Sequence, residues 1–203
     1  MPTLVKDQQL IQKRREQMVK GAVRLFIEKG FHRTTTREIA KESGFSIGTL
    51  YEYIGAKEDI LYLVCDSIYD EFSERLAGQL GKGGTALERL KKAISAYFQI
   101  VDSMKDEVLV MYQETKSLPK EALPYVLRKE LAMADVIESI VRECVETGEI
   151  SLEEPQIKLM AHNILVQGQM WAFRRWALQK EFTFEEYATL QIQQLLSEPL
   201  SKC

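Results

Sequence analysis

The chain has 203 residues, 45% hydrophobic and 28% charged, with 11 Gly and 5 Pro; this length holds one large domain or a small one plus a larger one, and the balance is that of a globular protein. No stretch approaches the roughly 18 consecutive apolar residues of a membrane span, and residues 1–15 lack the apolar centre of a secretion signal, so a cytoplasmic location with no membrane partner is expected. The formal charge is −3, yet residues 1–57 hold 11 Lys and Arg against 6 Asp and Glu, +5, while the remainder holds 16 against 24, −8; the cations a polyanion needs lie in the first quarter of the chain.

Apolar residues recur at spacings of three and four and nowhere alternate convincingly, which predicts an all-α fold of about nine helices. The first spans about 9–29, with Met18, Ala22, Leu25 and Phe26 on one face, and stops at Gly30. The second, about 35–42, opens on a capping box in which Thr35 and Glu38 satisfy each other's free backbone donors. Gly44 then offers the left-handed conformation that ends a helix, and Ser46 caps a third helix at about 46–52. These two short helices, in TTTREIAKESGFSIGTLYEYI from Thr34 to Ile54, have the arrangement of a helix-turn-helix. Ala40 is the small residue where the helices cross, and Ile39, Phe45 and Leu50 form the apolar seam beneath the second.

In such a unit the second helix enters the major groove. Its exposed positions, Ser46, Ile47, Gly48, Thr49, Tyr51, Glu52 and Tyr53, are small or bear hydroxyls suited to base edges, thymine methyls and phosphates. Thr36, Arg37 and Lys57 are placed for phosphate. The alternative is an ordinary helical hairpin whose Tyr51 and Tyr53 serve the core.

The run AVRLFIEKGFHRTTTREIAKESGFSIGTLYEYIGAKEDIL, residues 22–61, resembles the tetracycline-repressor (TetR/AcrR) family of bacterial one-component regulators. The likeness rests on Gly30-Phe31, Thr34 to Arg37, Ile39-Ala40, Gly44, Gly48-Thr49-Leu50-Tyr51, Tyr53 and Lys57-Glu58. It implies DNA contacts at Thr36, Arg37, Ile47, Gly48, Thr49, Tyr51, Tyr53 and Lys57. Gly55-Ala56 departs from the more polar pair that many members carry there.

Further helices are expected at about 57–78, 85–103, 106–117, 124–147, 155–179 and 184–196, broken by Gly81 to Gly84, Pro119, Pro124, Gly148 and Pro155. Thr85 with Glu88 and Thr183 with Glu186 repeat the capping box. Residues 1–56 thus read as a helix-turn-helix domain and 57–203 as a helical body. For the body, the resemblance implies a homodimer built on the last two long helices and an effector pocket in the middle ones. Ile157, Met160, Ala161, Ile164, Leu165, Gly168, Met170, Trp171 and Trp176 give one helix an extensive apolar surface, with Ala161 and Gly168 allowing close approach of a partner. Leu190, Ile192, Leu195 and Leu196 extend that surface, which equally serves a single chain's interior.

Candidate effector contacts are Tyr97, Phe98, Met104, Met111, Tyr112, Tyr125, Trp171 and Phe173, with Arg128, Arg174 and Arg175 for a carboxylate or phosphate. A stripe of this kind also suits a core, and the arginines also suit plain surface. VMYQETKSLPKEAL and GQMWAFRRW are similar to family members that respond to acyl-coenzyme A and control fatty-acid degradation. A double-stranded operator, a second copy of the chain and an apolar effector such as an acyl-CoA are therefore the expected partners.

Cys65, Cys144 and Cys203 are isolated, and His32 and His162 have no partner at metal-ligand spacing, so neither disulfides, a metal, a cofactor nor catalysis is expected. A di-iron bundle would need Glu-x-x-His pairs that neither histidine supplies. A protein of this fold without a small-molecule effector, acting through protein partners, is the remaining alternative.

Overall fold

The computed structural model describes residues 3–79, 83–118 and 120–197, and every regular element among them is helical. Gly81, Pro119 and Cys203 lie outside the described residues. The order is α1 (Thr3–Lys29), α2 (Thr36–Glu42), α3 (Ile47–Tyr51), α4 (Asp59–Gln79), α5 (Ala86–Ser103), α6 (Lys105–Glu114), a 3-10 turn (Thr115–Ser117), α7 (Leu123–Glu146), α8 (Glu154–Phe173), α9 (Arg175–Glu181) and α10 (Phe184–Ser197). No described helix is long and apolar enough to cross a membrane.

Local signals account for most of these boundaries. All three capping boxes form: Thr35 Oγ1 accepts from Glu38 N, Thr85 Oγ1 from Glu88 N and Thr183 Oγ1 from Glu186 N, with each glutamate accepting the return bond. At the end of α2, Gly44 has φ 74°, Phe45 N donates to Ala40 O at 2.7 Å and Gly44 N to Lys41 O at 3.1 Å. That pair of bonds is the left-handed glycine cap that satisfies the last carbonyls of a helix.

The expected helix over 155–179 is instead two, because Arg174 (φ −108°, ψ 21°) leaves helical geometry between α8 and α9. No Gly or Pro marks the spot. The side chains around it are engaged at a distance in sequence: Trp171 Nε1 donates to Asp102 at 2.8 Å, and Arg175 pairs with Asp106.

The chain divides into two compact units. The first comprises the described residues up to Ser67 together with Leu109–Val126, so the boundary falls inside α4, α6 and α7. Its interior includes Met18, Ala22 and Phe26 of α1, Phe31 of the turn that follows, Ile39 and Ala40 of α2, Leu50 of α3, and Ile60, Leu61 and Val64 of α4, all buried.

The second unit, Ile68–Val108 with the described residues from Leu127 onward, has its core along α5, which packs on α8 and α10. Leu90, Ile94, Tyr97 and Phe98 of α5 share that core with Ile137, Val141 and Cys144 of α7 and with Ile157, Ile164 and Leu165 of α8. At Gly168, α5 comes close to α8: a Cβ there would stand 2.4 Å from Tyr97 Cε1 and 3.0 Å from Phe98 Cδ1. This corrects one expectation, since Gly168 and the buried Ala161 serve packing within the chain.

Candidate nucleic-acid interface

The surface built by α2 and α3 starts from a buried seam. Ile39, Ala40 and Leu50 are fully or almost fully buried, whereas Phe45 is half-buried. Because Leu50 points inward, the residues on either side of it point away. Ile47 is 37% and Tyr51 53% exposed; Arg37, Ser46, Gly48 and Glu52 are exposed, and Thr36, Thr49 and Tyr53 are half-buried. A hairpin that used Tyr51 and Tyr53 as core would bury both rings, and neither is buried.

Hydroxyl bonds hold this surface in place. Ser46 Oγ accepts from Thr49 N at 3.0 Å and lies 2.9 Å from Thr49 Oγ1. Thr36 Oγ1 and Tyr51 OH are 3.1 Å apart, tying the first residue of α2 to the last of α3. Tyr53 OH accepts from Arg14 Nη1 at 3.3 Å, which brings a cation from α1 to the same edge.

Gly48 has a different significance from Gly44. Its φ is not in the left-handed region, and a Cβ there would meet only Ser46 Oγ, at 3.7 Å. Nothing inside the fold requires glycine at this position. An exposed glycine leaves the backbone open to close approach from outside.

Lys57 does not face outward with the others. Its Nζ donates to Phe31 O at 2.7 Å, Thr34 O at 3.1 Å and His32 O at 3.4 Å, and lies 4.3 Å from the centre of the Phe31 ring. All three ammonium donors are engaged, so in this structure Lys57 fastens the turn between α1 and α2 rather than presenting a free charge. Asp59 plays the matching part across Gly55-Ala56, accepting from both backbone N–H groups at 2.8 and 2.9 Å. At the start of α2, Lys29 pairs with Glu38; together with the Thr35 bonds this holds the Glu38 carboxyl down at about 2.

Two contributors carried little signal in the sequence. A Cβ on Gly21 would lie 2.6 Å from Ser43 Oγ and 3.2 Å from Ser43 N, so α1 comes close to the end of α2 there. A glycine inside an otherwise regular helical pattern was the available sign. Arg14 could have been noticed because it stands four residues before the fully buried Met18, on the face that α1 turns to the core.

The candidate effector residues fall in both compact units. Tyr97 and Phe98 are core, with Tyr97 OH donating to Leu165 O at 3.1 Å. Trp171 is buried and bonded to Asp102, Phe173 and Met104 are partly buried against the core, and Arg175 is paired with Asp106. Arg174 is exposed, its guanidinium 5.6 Å from the Trp176 ring centre; Arg128 is exposed as well. Met111, buried, Tyr112, exposed, and Tyr125, whose hydroxyl donates to Asp66, belong to the other unit. An open groove of about 540 Å³ on α9 and α10 is lined by Glu181, Phe182, Glu185, Glu186, Thr189, Leu190 and Gln193, none of them an expected contact.

Among the described residues no group of His, Cys, Asp and Glu is placed to hold a metal ion. Burial pushes the thiol of Cys144 up to about 11, which makes it a poor nucleophile.

The profile of bacterial regulatory proteins of the tetR family matches residues 18–62, and that of the tetracyclin repressor-like C-terminal domain matches residues 83–171. The HTH-type transcriptional regulator HbdR of Aromatoleum sp. (strain CIB) is 31% identical over 91% of this chain and 80% of its own length. The fatty acid metabolism regulator protein of Bacillus subtilis (strain 168) is 28% identical over 66% of this chain and 69% of its own. Among solved structures, AibR in complex with isovaleryl coenzyme A and operator DNA superposes with a TM-score of 0.73, at 21% identity, over 89% of this chain and 97% of that one.

Proposed function

Since this chain belongs to the tetR family of bacterial regulatory proteins and is a DNA-binding transcriptional regulator, we propose that it is a dimeric repressor, released from a palindromic operator by an acyl-CoA. The observation that carries the reading is the outward row of Ile47, Gly48 and Tyr51 above a buried Leu50. The side chains of Ile47 and Tyr51 contact bases, with Gly48 letting the backbone come close, while the hydroxyls of Thr36, Ser46, Thr49 and Tyr53 and the exposed Arg37 contact phosphates. Glu52 accepts from a cytosine amino group. Lys57 acts from behind, by holding the turn from which α2 departs.

Two heads must enter successive major grooves about 34–36 Å apart, which requires a dimer. Exposed Leu159 and Val166 of α8, seven residues apart, and exposed Leu190 of α10 support one. The regulator of fatty acid metabolism among its relatives, and the isovaleryl-CoA complex among structures of the same fold, favour an acyl thioester as effector. Binding in the body would favour a head separation that no longer matches the grooves, with α4 as the lever between them, and operator would weaken effector binding by the same factor.

The test is a selected-duplex binding assay. Tyr51→Ala should cost about 1–3 kcal/mol on the selected sequence and little on random duplex, whereas Arg37→Ala should weaken both and flatten the salt dependence. Retained sequence preference in Tyr51→Ala would remove the assigned surface. For the effector, a panel of acyl-CoAs of graded chain length should raise the thermal midpoint and release the duplex while free CoA does neither. No response across the panel would leave a regulator acting through protein partners.

A further inference from the structure

We propose that the N-terminal part of α1 over residues 8–17 is a second DNA-binding element, in which Lys13, Arg14 and Arg15 contact backbone phosphates beside the sequence read by α3. The inference rests on the regulator reading above and adds a site outside the matched family profile, which begins at residue 18.

Helix α1 starts at Thr3, and among its residues of described burial, from Gln8 on, the first buried one is Met18. Residues 8–17 therefore run about 15 Å, at 1.5 Å per residue, before the core of the head begins. Every one of them is exposed except Arg14, which is half-buried.

From Gln8 to Arg15 there is no acidic residue and three cations stand in succession. The next acidic residue along the chain, Glu16, accepts from Gln12 Nε2 at 3.3 Å. Helical register sharpens the point. Stepping back by four and seven from Met18 and Ala22, which are fully buried, gives Arg14, Ile11 and Arg15. The face that packs on the core farther along is thus carried on by Arg14 and Arg15 with Ile11.

What Arg14 meets there is Tyr53, through the 3.3 Å bond to its hydroxyl. Tyr53 follows α3, so Arg14 adjoins the surface assigned to DNA, and Lys13 and Arg15 flank it on the same helix. A guanidinium has five N–H donors, and one bond to Tyr53 leaves four for phosphate oxygens. Exposed Leu10 and Ile11, 46% and 40% accessible, sit among these cations. A protein or membrane partner for this arm is accordingly an outcome the experiment must separate.

The experiment compares the full-length chain with K13Q/R14Q/R15Q, which removes charge while keeping a good helix former. Binding is measured, across a salt series, to a duplex selected by the unaltered chain and to a random-sequence duplex. The expected result is a loss of at least about tenfold on both duplexes and a fall of about 2–3 in the salt slope, at roughly 0.9 per lost phosphate contact. The thermal midpoint and the mass by light scattering should not change.

Unchanged affinity and slope, with Tyr51→Ala still losing the selected duplex, overturns the arm and leaves the α3 surface standing. A changed mass or midpoint, or lost binding to anionic vesicles with DNA binding intact, also overturns it. If the unaltered chain selects no duplex, the regulator reading fails first and the arm with it.

Discussion

Gly48 and Gly168 are both glycines within helices, and they separate two reasons for a missing side chain. At Gly48 the space is open, and alanine is favoured over glycine in a helix by up to about 1 kcal/mol. Gly48→Ala should therefore raise the thermal midpoint of the head while lowering affinity for the selected duplex. A more stable protein with undiminished affinity would show that no backbone approach occurs there. At Gly168 the same substitution places a Cβ against the Tyr97 ring. Gly168→Ala should destabilise the body by about 1–3 kcal/mol in urea unfolding, despite the gain in helix propensity; an unchanged midpoint would mean that α5 and α8 separate at no cost.

At the scale of the element, α2 depends on charges at its start. The Glu38 carboxyl sits at about 2, below the ordinary 4.5, first because of Lys29 and then because of the Thr35 bonds. A depressed acid stabilises the folded state fully above its unfolded pKa and ceases to do so as pH falls through the folded one. The contribution is thus complete above about 4.5 and disappears toward about 2. Glu38→Gln keeps a capping partner for Thr35 but loses the pair with Lys29, so its thermal midpoint should vary less with pH over that interval. Equal acid limbs in the two proteins would show that the pair contributes nothing.

For the whole molecule, the exposed apolar residues decide the expected assembly. Ile157, Ile164, Leu165 and Trp171 of α8 are buried within the chain, and what remains uncovered is Leu159 and Val166. Leu159→Glu with Val166→Glu should leave the helical circular dichroism intact, give a monomer by light scattering, and weaken duplex binding on the order of a hundredfold through loss of the linked second head. A double variant that remains dimeric would move the interface elsewhere.

How much of this was legible beforehand follows from the reach of each interaction. Thr35, Thr85 and Thr183 each found the glutamate three residues on, and Gly44 ended α2 where its left-handed φ demanded, because caps and turns involve residues within four or five positions. Periodicity likewise placed Met18, Ala22 and Leu50 inside and Ile47 and Tyr51 outside. The break at Arg174, the seat of Gly168 against Tyr97, and the turn of Lys57 onto carbonyls 23 to 26 residues away came only with the tertiary structure. Each involves partners brought together by packing, and no local pattern of residues records who those partners are. The sequence by itself determined an all-helical regulator and the outward face of its α3; tertiary contacts decided which aromatic side chains became core, since a stripe of apolar residues states that it will be buried but not against what.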